Sequence, residues 1–267
     1  MGNSITGPAE EKKILEEVDK LVKLGAVREV QHEPYLILVF GIPKKSGKTC
    51  LVLDFRKYNS CVVHQPFLPV NREFSLAAVR PYSIGSALDL SNAYFQVPLH
   101  KKIWGTMGIT VCGRFFEYMR LPFGYNNSPH EFLRALWPTM RWIQYHTASQ
   151  VLFYMDDILL LSQSTEDHYR DLQVVMEGLR KDGWKLNWSK CQFFKEKFSY
   201  LGVTLTSTGM IPTDSVLKQF KEAQMPTTFR GWRRIIGWLA HSARFLYQGH
   251  RLLGQLQHLR TSPSVEG

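Results

Sequence analysis

Two adjacent aspartates separate two apolar segments of strand length near the middle of the chain. Residues 151–155 precede Asp156 and Asp157, and residues 158–161 follow them. Short apolar segments interrupted only by turn residues predict a β-hairpin with both carboxylates at its tip. Neighbouring carboxylates repel each other unless a cation neutralises them, and Mg²⁺ prefers carboxylate oxygens together with substrate phosphates. The alternative is an ordinary turn, because Asp is a favoured turn residue.

A third acid lies in a similar setting upstream. Asp89 follows residues 84–88, a run of small and apolar side chains that predicts a strand ending at this carboxylate. Two strands that deliver Asp89 and the pair Asp156 and Asp157 to one edge of a sheet would form a two-metal site for phosphoryl transfer. The alternative for Asp89 is a structural role, as the cap of the short turn that follows it.

Four ordered motifs carry a resemblance to a known family. Residues 154–157 (Tyr-Met-Asp-Asp) resemble the catalytic signature of reverse transcriptases from retroviruses and LTR retrotransposons, and residues 89–95 (Asp-Leu-Ser-Asn-Ala-Tyr-Phe) resemble the preceding catalytic motif. Residues 121–129 (Leu-Pro-Phe-Gly-Tyr-Asn-Asn-Ser-Pro) are similar to the nucleotide-pocket segment of that family. Residues 200–202 (Tyr-Leu-Gly) resemble its primer-grip turn. Gypsy-like retrotransposons and vertebrate retroviral relatives are both compatible sources.

The resemblance implies an RNA-directed DNA polymerase. In that reaction the primer 3′-hydroxyl attacks the α-phosphorus of a deoxynucleoside triphosphate, and pyrophosphate leaves. The implied cofactor is a pair of Mg²⁺ ions, with Mn²⁺ as the alternative, and the implied partners are dNTPs and an RNA or DNA template with its primer. Asp89 and Asp156 would be direct metal ligands, Asp157 a weaker ligand, and the backbone carbonyl of Leu90 a further oxygen donor.

The resemblance also assigns residues to the nucleotide and to the template and primer. Tyr94 matches the steric gate, a ring that excludes a ribose 2′-hydroxyl, and Phe123 is typical of gypsy-like elements where many retroviral enzymes carry Gln. The nucleotide-binding set is Lys44, Lys45, Tyr94, Phe123, Gly124, Met155 and Lys190, with Lys185 as a competitor for the role of Lys190. The template- and primer-binding set is Arg56, Asn59, Tyr154, Tyr200, Leu201, Gly202, Arg230, Arg233 and Arg234.

One position departs from the family pattern. The family usually carries an arginine that contacts the triphosphate four residues before the aspartate matching Asp54, and this chain has Cys50 there. A neutral thiol cannot bind phosphate as a guanidinium does. Lys44, Lys45 or Lys48 could compensate. The departure favours an alternative function, a catalytically weakened, element-derived nucleic-acid-binding protein or a non-catalytic polymerase subunit.

The implied fold is the α+β right-hand polymerase fold. Fingers are expected at 1–64 and 97–127, a palm with an antiparallel sheet and the catalytic hairpin at 65–96 and 128–208, and a partial thumb at 209–267. No RNase H domain is expected, and a connection and RNase H portion or a second polymerase chain are candidate partners.

Local patterns predict the individual elements. Helices are expected at 8–24, at 165–181 before Gly183, and within 228–239. A further helix should start with Ser128 as N-cap, a capping box completed by Glu131, and a bend or end at Pro138. The predicted strands are 35–42, 50–55, 105–111, 114–119 and 198–205.

The charge and cysteine content of the chain indicate its class of partner and its cellular compartment. A net charge of +10 over 267 residues favours a polyanionic partner, with a merely soluble basic surface as the alternative. The four cysteines form no CxxC pair, which favours a reducing compartment. The expected location is intracellular and cytoplasmic, and the resemblance adds a virus-like particle as an alternative. No membrane partner is expected, although residues 1–6 fit the short N-myristoylation pattern.

Overall fold

The computed structural model describes residues 8–43, 49–65, 71–222, 225–245 and 249–257. Two predictions lie outside the described residues: the N-myristoylation pattern at residues 1–6, and the turn containing Lys44, Lys45 and Lys48. Within the described ranges, no helix combines the length and apolar character needed to cross a bilayer.

Two long helices have the bounds that the sequence predicts. The helices are α1 (Pro8–Leu24), α2 (Arg56–Asn59), α3 (Arg72–Ala77), α4 (Ser128–His146), α5 (Thr165–Lys181), α6 (Asp214–Lys221), α7 (Phe229–Ser242) and α8 (Gly249–Gln257). Local signals explain the bounds of α5. Ser164 caps its N-terminus by accepting a hydrogen bond from the backbone of Asp167 at 3.1 Å, and Gly183 follows its end with φ +79°.

In the part of the chain that the structure describes, the strands form four antiparallel sheets. The strands are β1 (Val27–Val30), β2 (Leu38–Pro43), β3 (Thr49–Asp54), β4 (Ile84–Asp89), β5 (Gly108–Val111), β6 (Arg114–Tyr118), β7 (Gln150–Tyr154), β8 (Asp157–Ser162), β9 (Gln192–Lys195), β10 (Phe198–Tyr200), β11 (Val203–Thr206) and β12 (Gly209–Pro212). The sheet orders are β1-β6-β5, β2-β3, β7-β8-β4-β9 and β10-β11-β12. Helices together with antiparallel sheets confirm the predicted α+β class. The boundaries between fingers, palm and partial thumb stay a prediction.

The four-stranded sheet β7-β8-β4-β9 is covered on both faces, and strand β8 shows this most clearly. Successive side chains of a strand point to opposite faces. Ile158 and Leu160 enter one buried apolar cluster, while Leu159 and Leu161 enter a second one that includes Phe198. A strand buried on both faces needs a continuous apolar sequence, which β8 has. This double burial sets the register of the strand that begins at Asp157.

The start of α4 differs from the prediction. The N-cap is Asn127, whose side chain makes no capping hydrogen bond, and Ser128 is the first helical residue. The Ser128 hydroxyl donates instead to the Pro122 carbonyl oxygen at 2.6 Å, in a buried contact that ties the helix to the preceding loop. Glu131 forms an ion pair with Arg134 at 2.7 Å, so the predicted capping box is wrong.

Pro138 does not end α4, which continues to His146. Proline removes one helical hydrogen bond and normally breaks a helix in solution. Here the apolar face on both sides of Pro138 is fully buried in the core, through Phe132, Leu136, Met140 and Ile143. Burial of four large side chains outweighs the lost hydrogen bond.

Two predicted strands are shorter or divided in the structure. Residues 198–205 form β10 and β11, joined by the two-residue turn of Leu201 and Gly202 with φ +46° and +72°. Positive φ at both central positions is the geometry of a tight hairpin turn. Strand β5 begins only at Gly108, because residues Lys101–Thr106 form a 3₁₀ helix.

Gly178 permits the close packing of α5 on α4, and we expect Gly178→Ala to destabilise the protein. A Cβ atom at this position would lie 2.6 Å from Ile143 Cγ1 and 3.0 Å from the Trp142 ring. Despite the better helix propensity of Ala, this overpacking should lower the free energy of unfolding by about 1–2 kcal/mol. Gly237→Ala in α7 is the matched control, since a Cβ there has no neighbour within 4 Å and should be neutral or stabilising. Urea denaturation measures the free energy of unfolding of both variants. A decrease in both would contradict the assigned steric conflict at Gly178.

Candidate active site

Strand pairing brings Asp89 and Asp157 together at one end of the four-stranded sheet. Asp89 ends β4, Asp157 begins β8, and the two residues are direct partners in the antiparallel register. The turn of the hairpin consists of Met155 and Asp156, so Asp157 belongs to the strand rather than to the tip that the sequence predicts. The backbone N–H of Leu90 donates to the Asp156 carbonyl oxygen at 3.1 Å and joins the end of β4 to this turn.

Lys190 lies beside the carboxylates. Its Nζ donates to Asp89 Oδ2 at 3.4 Å. The segment that carries it is attached to the same strand end, because the backbone N–H of Asn187 donates to the Asp89 carbonyl oxygen at 2.8 Å and the Cys191 sulfur accepts from the Asp89 N–H at 3.4 Å. The structure therefore places Lys190 at the acids, whereas the competitor Lys185 has its own backbone bonded to Ser91.

The carboxylates at this edge are not fully neutralised. The pKa of Asp157 is raised to about 6, first by burial and then by the negative charges of Asp156 and Asp89, with Lys190 opposing the shift. Such a group of hard oxygen donors fits a divalent cation such as Mg²⁺. Within the described residues, no three His, Cys, Asp or Glu side chains form a ready metal cluster. The donor set fits a hard cation that substrate phosphates help to hold.

The raised pKa of Asp157 leads to a stability prediction. In the metal-free protein, Asp157→Asn should increase the free energy of unfolding by about 1 kcal/mol near pH 7.5 and by about half as much near pH 5. The native pKa lies above the ordinary value of an Asp, so the stabilisation from protonation is complete only below that ordinary value and is lost as the pH rises from there through about 6. Water reaches the carboxylate, which keeps the expected change small.

Urea denaturation with a chelator present, at both pH values, measures this effect. Glu177→Gln is the control, because Glu177 is exposed on α5 and should contribute little at either pH. Equal effects of Asp157→Asn at the two pH values would contradict the assigned charge repulsion.

An aromatic wall lies next to the acids. The rings of Tyr94 and Phe123 are 4.8 Å apart, and the Phe123 side chain is 53% exposed. Burial raises the pKa of the Tyr94 hydroxyl, and the negative charge of Asp156 adds to the shift, which places Asp156 near this ring. Gly124 follows with φ +92°, where a Cβ would lie 3.1 Å from the Phe55 ring. This wall has the apolar surface that the predicted nucleotide pocket requires.

A cavity connects the acids with the predicted primer-grip turn. It has a volume of about 250 Å³ and is lined by Asp89, Asp157 and Lys190 on one side and by Tyr200, Leu201 and Gly202 on the other. Tyr200 is buried, and its hydroxyl has no hydrogen-bond partner among the described residues. Its pKa is raised first by burial and then by the charges of Asp157 and Tyr154.

Strained backbone occurs beside the acids. Met155 has φ +54°, which is unusual for a residue with a side chain, and Leu201 at the opposite wall of the cavity has φ +46°. Strain of this kind persists only where the surrounding structure holds it, and it is concentrated at functional sites.

Two predicted template residues have intramolecular partners. The Arg56 guanidinium binds the Asp54 carboxylate at 2.6 Å, and this hydrogen bond lowers the pKa of Asp54 to about 2. The Asn59 amide bonds to the loop of the aromatic wall, donating to the Gly124 carbonyl oxygen and accepting from the Asn126 N–H, both at 3.0 Å. Asn59 thus holds the nucleotide-pocket loop, and a template contact by either residue stays a prediction.

The position that departs from the family pattern faces the same region. Cys50 is half-buried in β3 and lines a cavity of about 520 Å³ together with Phe123, Gly124 and Asn92. The only side-chain hydrogen bond of Cys50 within the described ranges is a long one to the carbonyl oxygen of Leu51. Among the described residues that line this cavity there is no lysine or arginine, while Lys44, Lys45 and Lys48 lie outside the described ranges.

The predicted thumb arginines lie on α7. Arg230, Arg233 and Arg234 are exposed, and the Arg234 guanidinium lies 5.4 Å from the centre of the Trp238 ring. The helix begins after Thr228, whose hydroxyl accepts a hydrogen bond from the Gly231 N–H at 3.1 Å. A helix at this place is confirmed, while contacts of these arginines with a duplex stay a prediction.

Sequence reasoning missed Gln96. Its side chain bonds to both the turn after Asp89 and the segment that carries Lys190. The available signal was a polar residue between Phe95 and Val97, directly after the motif that contains Asp89.

Comparisons with known proteins agree with the motifs. The family described as "Reverse transcriptase (RNA-dependent DNA polymerase)" matches residues 42–205. The chain is 25% identical over 235 residues to the retrovirus-related Pol polyprotein from transposon 297 of Drosophila melanogaster, covering 86% of this chain and 22% of that protein. It is 29% identical over 221 residues to the Gag-Pol polyprotein of Walleye dermal sarcoma virus, covering 80% and 12%. The chain thus spans less than a quarter of the length of these relatives.

Solved structures with the same fold include two of the foamy viral protease-reverse transcriptase. One is in complex with double-stranded DNA, with a TM-score of 0.86 at 22% identity over 97% of this chain and 45% of that chain. The other is in complex with an RNA/DNA hybrid, with a TM-score of 0.84 at 21% identity over 100% of this chain and 35% of that chain. These similarities confirm the predicted right-hand polymerase fold. By its motifs, its family match and its fold, the chain belongs to the reverse transcriptase family.

Proposed function

We propose that this chain is the polymerase part of an RNA-directed DNA polymerase, which adds deoxynucleotides to a primer on an RNA or DNA template. The observation that carries this proposal is the pairing of Asp89 with Asp157 across the sheet, with the Lys190 ammonium 3.4 Å from Asp89. Relatives of known structure bind double-stranded DNA and an RNA/DNA hybrid, which supports the same class of partner here.

Enzymes of this family use divalent metals, and we propose two Mg²⁺ ions held by Asp89, Asp156 and Asp157, with the Leu90 carbonyl as a further donor. When bound, such ions neutralise the charge that develops on the attacking and leaving oxygens. The carboxylates have the oxygen donors for this. Burial and then the neighbouring negative charges raise the Asp157 pKa, and this uncompensated charge supports their role as cation ligands.

The other residues of the site have roles that follow from their positions. Tyr94 and Phe123 offer an apolar surface against the sugar and base of the incoming dNTP. Lys190, at the edge of the acids, can neutralise the leaving pyrophosphate. The turn of Leu201 and Gly202, across the 250 Å³ cavity, can support the primer end.

Primer extension is the direct test of this function. The full chain is incubated with a labelled DNA primer on an RNA template, all four dNTPs and Mg²⁺, with chelated reactions and the Asp156→Asn variant as controls. We expect a ladder of extended primers that needs the metal and is lost in the variant. Extension that survives Asp156→Asn would contradict the site assignment.

A second candidate function is non-catalytic binding of nucleic acid, and Cys50 favours it. Without a cation at this position, a dNTP loses one charge-assisted contact. Fluorescence anisotropy with an RNA/DNA duplex distinguishes the two functions. Duplex binding that weakens with salt, combined with no extension at any dNTP concentration, would favour the binding function over polymerisation.

A further inference from the structure

The segment that carries Lys190 is an irregular loop between α5 and β9, so its approach to Asp89 depends on contacts from outside the loop. Two backbone hydrogen bonds attach it to the end of β4 and the following turn. Asn187 N–H donates to the Asp89 carbonyl oxygen at 2.8 Å, and Ser91 N–H donates to the Lys185 carbonyl oxygen at 2.9 Å. The Cys191 sulfur adds a third contact by accepting from the Asp89 N–H at 3.4 Å, and one further group binds both segments.

The Gln96 side chain is that group. Its Nε2 donates to the Ser91 carbonyl oxygen at 2.6 Å and to the Lys185 carbonyl oxygen at 2.9 Å. Its Oε1 accepts from the Lys185 N–H at 2.7 Å. One amide therefore makes three hydrogen bonds that span the turn after Asp89 and the start of the Lys190 loop.

The backbone of Gln96 is itself held. The residue ends the 3₁₀ helix Ala93–Gln96, directly after the motif of Asp89, and its carbonyl oxygen accepts from Arg120 Nη1 at 3.2 Å. Only an amide supplies the two donors and the acceptor that this arrangement uses. A carboxylate at the same position could still accept from Lys185 but would face two carbonyl oxygens with no proton to donate.

We infer that Gln96 is a positioning residue for the reaction, which sets the place of Lys190 relative to Asp89. This inference rests on the proposed polymerase function. The Gln96 amide bonds to backbone groups of Ser91 and Lys185 rather than to the carboxylates, so its effect is exerted through the loop it holds. Loss of its hydrogen bonds should leave dNTP binding nearly intact and slow the step in which Lys190 meets developing charge.

Steady-state kinetics of Gln96→Leu and Gln96→Glu test this role. We expect kcat to fall about tenfold in both variants while the KM for dNTP changes less than about threefold. Gln150→Leu is the matched control. Gln150 also uses its amide twice, accepting from Arg80 N–H at 2.9 Å and donating to the Ala78 carbonyl oxygen at 2.7 Å, at the end of the sheet far from the acids. Its loss should leave kcat unchanged, and an equal fall in kcat would overturn the positioning role.

A double-mutant cycle with Lys190→Ala separates positioning from general structural damage. If Gln96 acts through Lys190, adding Gln96→Leu to Lys190→Ala should lower kcat by less than about twofold further. If kcat of the double variant fell by the product of the two single falls, the inference would be overturned. That result would mean that Gln96 acts independently of Lys190.

Hydrogen exchange provides a readout that does not depend on activity. In the metal-free protein, the Lys185 amide should exchange at least about tenfold faster in Gln96→Leu than in the wild type, since its acceptor is gone. If the Lys185 amide exchanged at the same rate in Gln96→Leu and in the wild type, the positioning role of Gln96 would be overturned even in an active polymerase. If the Lys185 amide exchanges faster in Gln96→Leu but the wild type extends no primer, the proposed function is rejected while the hydrogen-bonding role of Gln96 is supported.

Discussion

Replacing Asp89 by Asn should slow nucleotide incorporation by about 10³-fold while the affinity for an RNA/DNA duplex changes less than about threefold. Asn has nearly the shape of Asp but lacks its charge, so the backbone pairing with Asp157 can persist. The loss falls on two functions at once. The edge loses a hard oxygen ligand for the divalent ions, and Lys190 loses the carboxylate to which it donates at 3.4 Å.

Single-turnover extension, with anisotropy for duplex affinity, measures the effect of Asp89→Asn. Circular dichroism and the melting temperature show whether the variant is folded, and Glu177→Gln, exposed on α5, is the control for surface charge. Incorporation within tenfold of the wild-type rate in a folded variant would remove Asp89 from the proposed site.

Replacing Tyr94 by Val should raise the use of ribonucleotides relative to deoxynucleotides by about 10²-fold. The bulky ring of Tyr94 excludes ribonucleotides because it would clash with their 2′-hydroxyl. The smaller Val side chain leaves space for that hydroxyl. The ring is held in place by Phe123 at 4.8 Å and Phe132 at 5.4 Å, so its position is defined before a nucleotide arrives.

Tyr94→Phe is the matched variant. It removes only the hydroxyl and keeps the ring and both aromatic contacts. We therefore expect Phe to retain the selectivity for deoxynucleotides. The ratio of kcat/KM for rNTP and dNTP is the measurement, taken well below the melting temperature of each variant. Equal losses for both nucleotides in Tyr94→Val would show that Tyr94 supports the pocket without selecting the sugar.

Local chemistry in the sequence was sufficient to predict the acidic hairpin and the bounds of helices α1 and α5. Asp156 and Asp157 lie within the single hairpin of β7 and β8, so a short stretch of sequence determines their proximity. Helix α5 likewise has its cap at Ser164 and its terminating Gly183 within its own sequence. Such features depend on contacts between near neighbours, which a sequence displays directly.

Predictions failed where distant contacts overrode local signals. Ser128 has the residue type of an N-cap, but its hydroxyl is used by Pro122 in a buried contact. Pro138 has the residue type of a helix breaker, but the buried face of α4 keeps the helix intact across it. In both places the free energy of burial exceeds the local preference.

The sequence by itself determined the family, the acids that can do the chemistry and the elements that carry them. Only the tertiary structure decided that Asp89 lies opposite Asp157, that Lys190 reaches them, and that Gln96 holds the loop in between. It also decided that His168 is buried between the hydroxyls of Ser86 and Ser162, at 2.7 Å and 2.8 Å. The physical reason is that strand register follows from burial on two faces of the sheet. That burial depends on residues far apart along the chain.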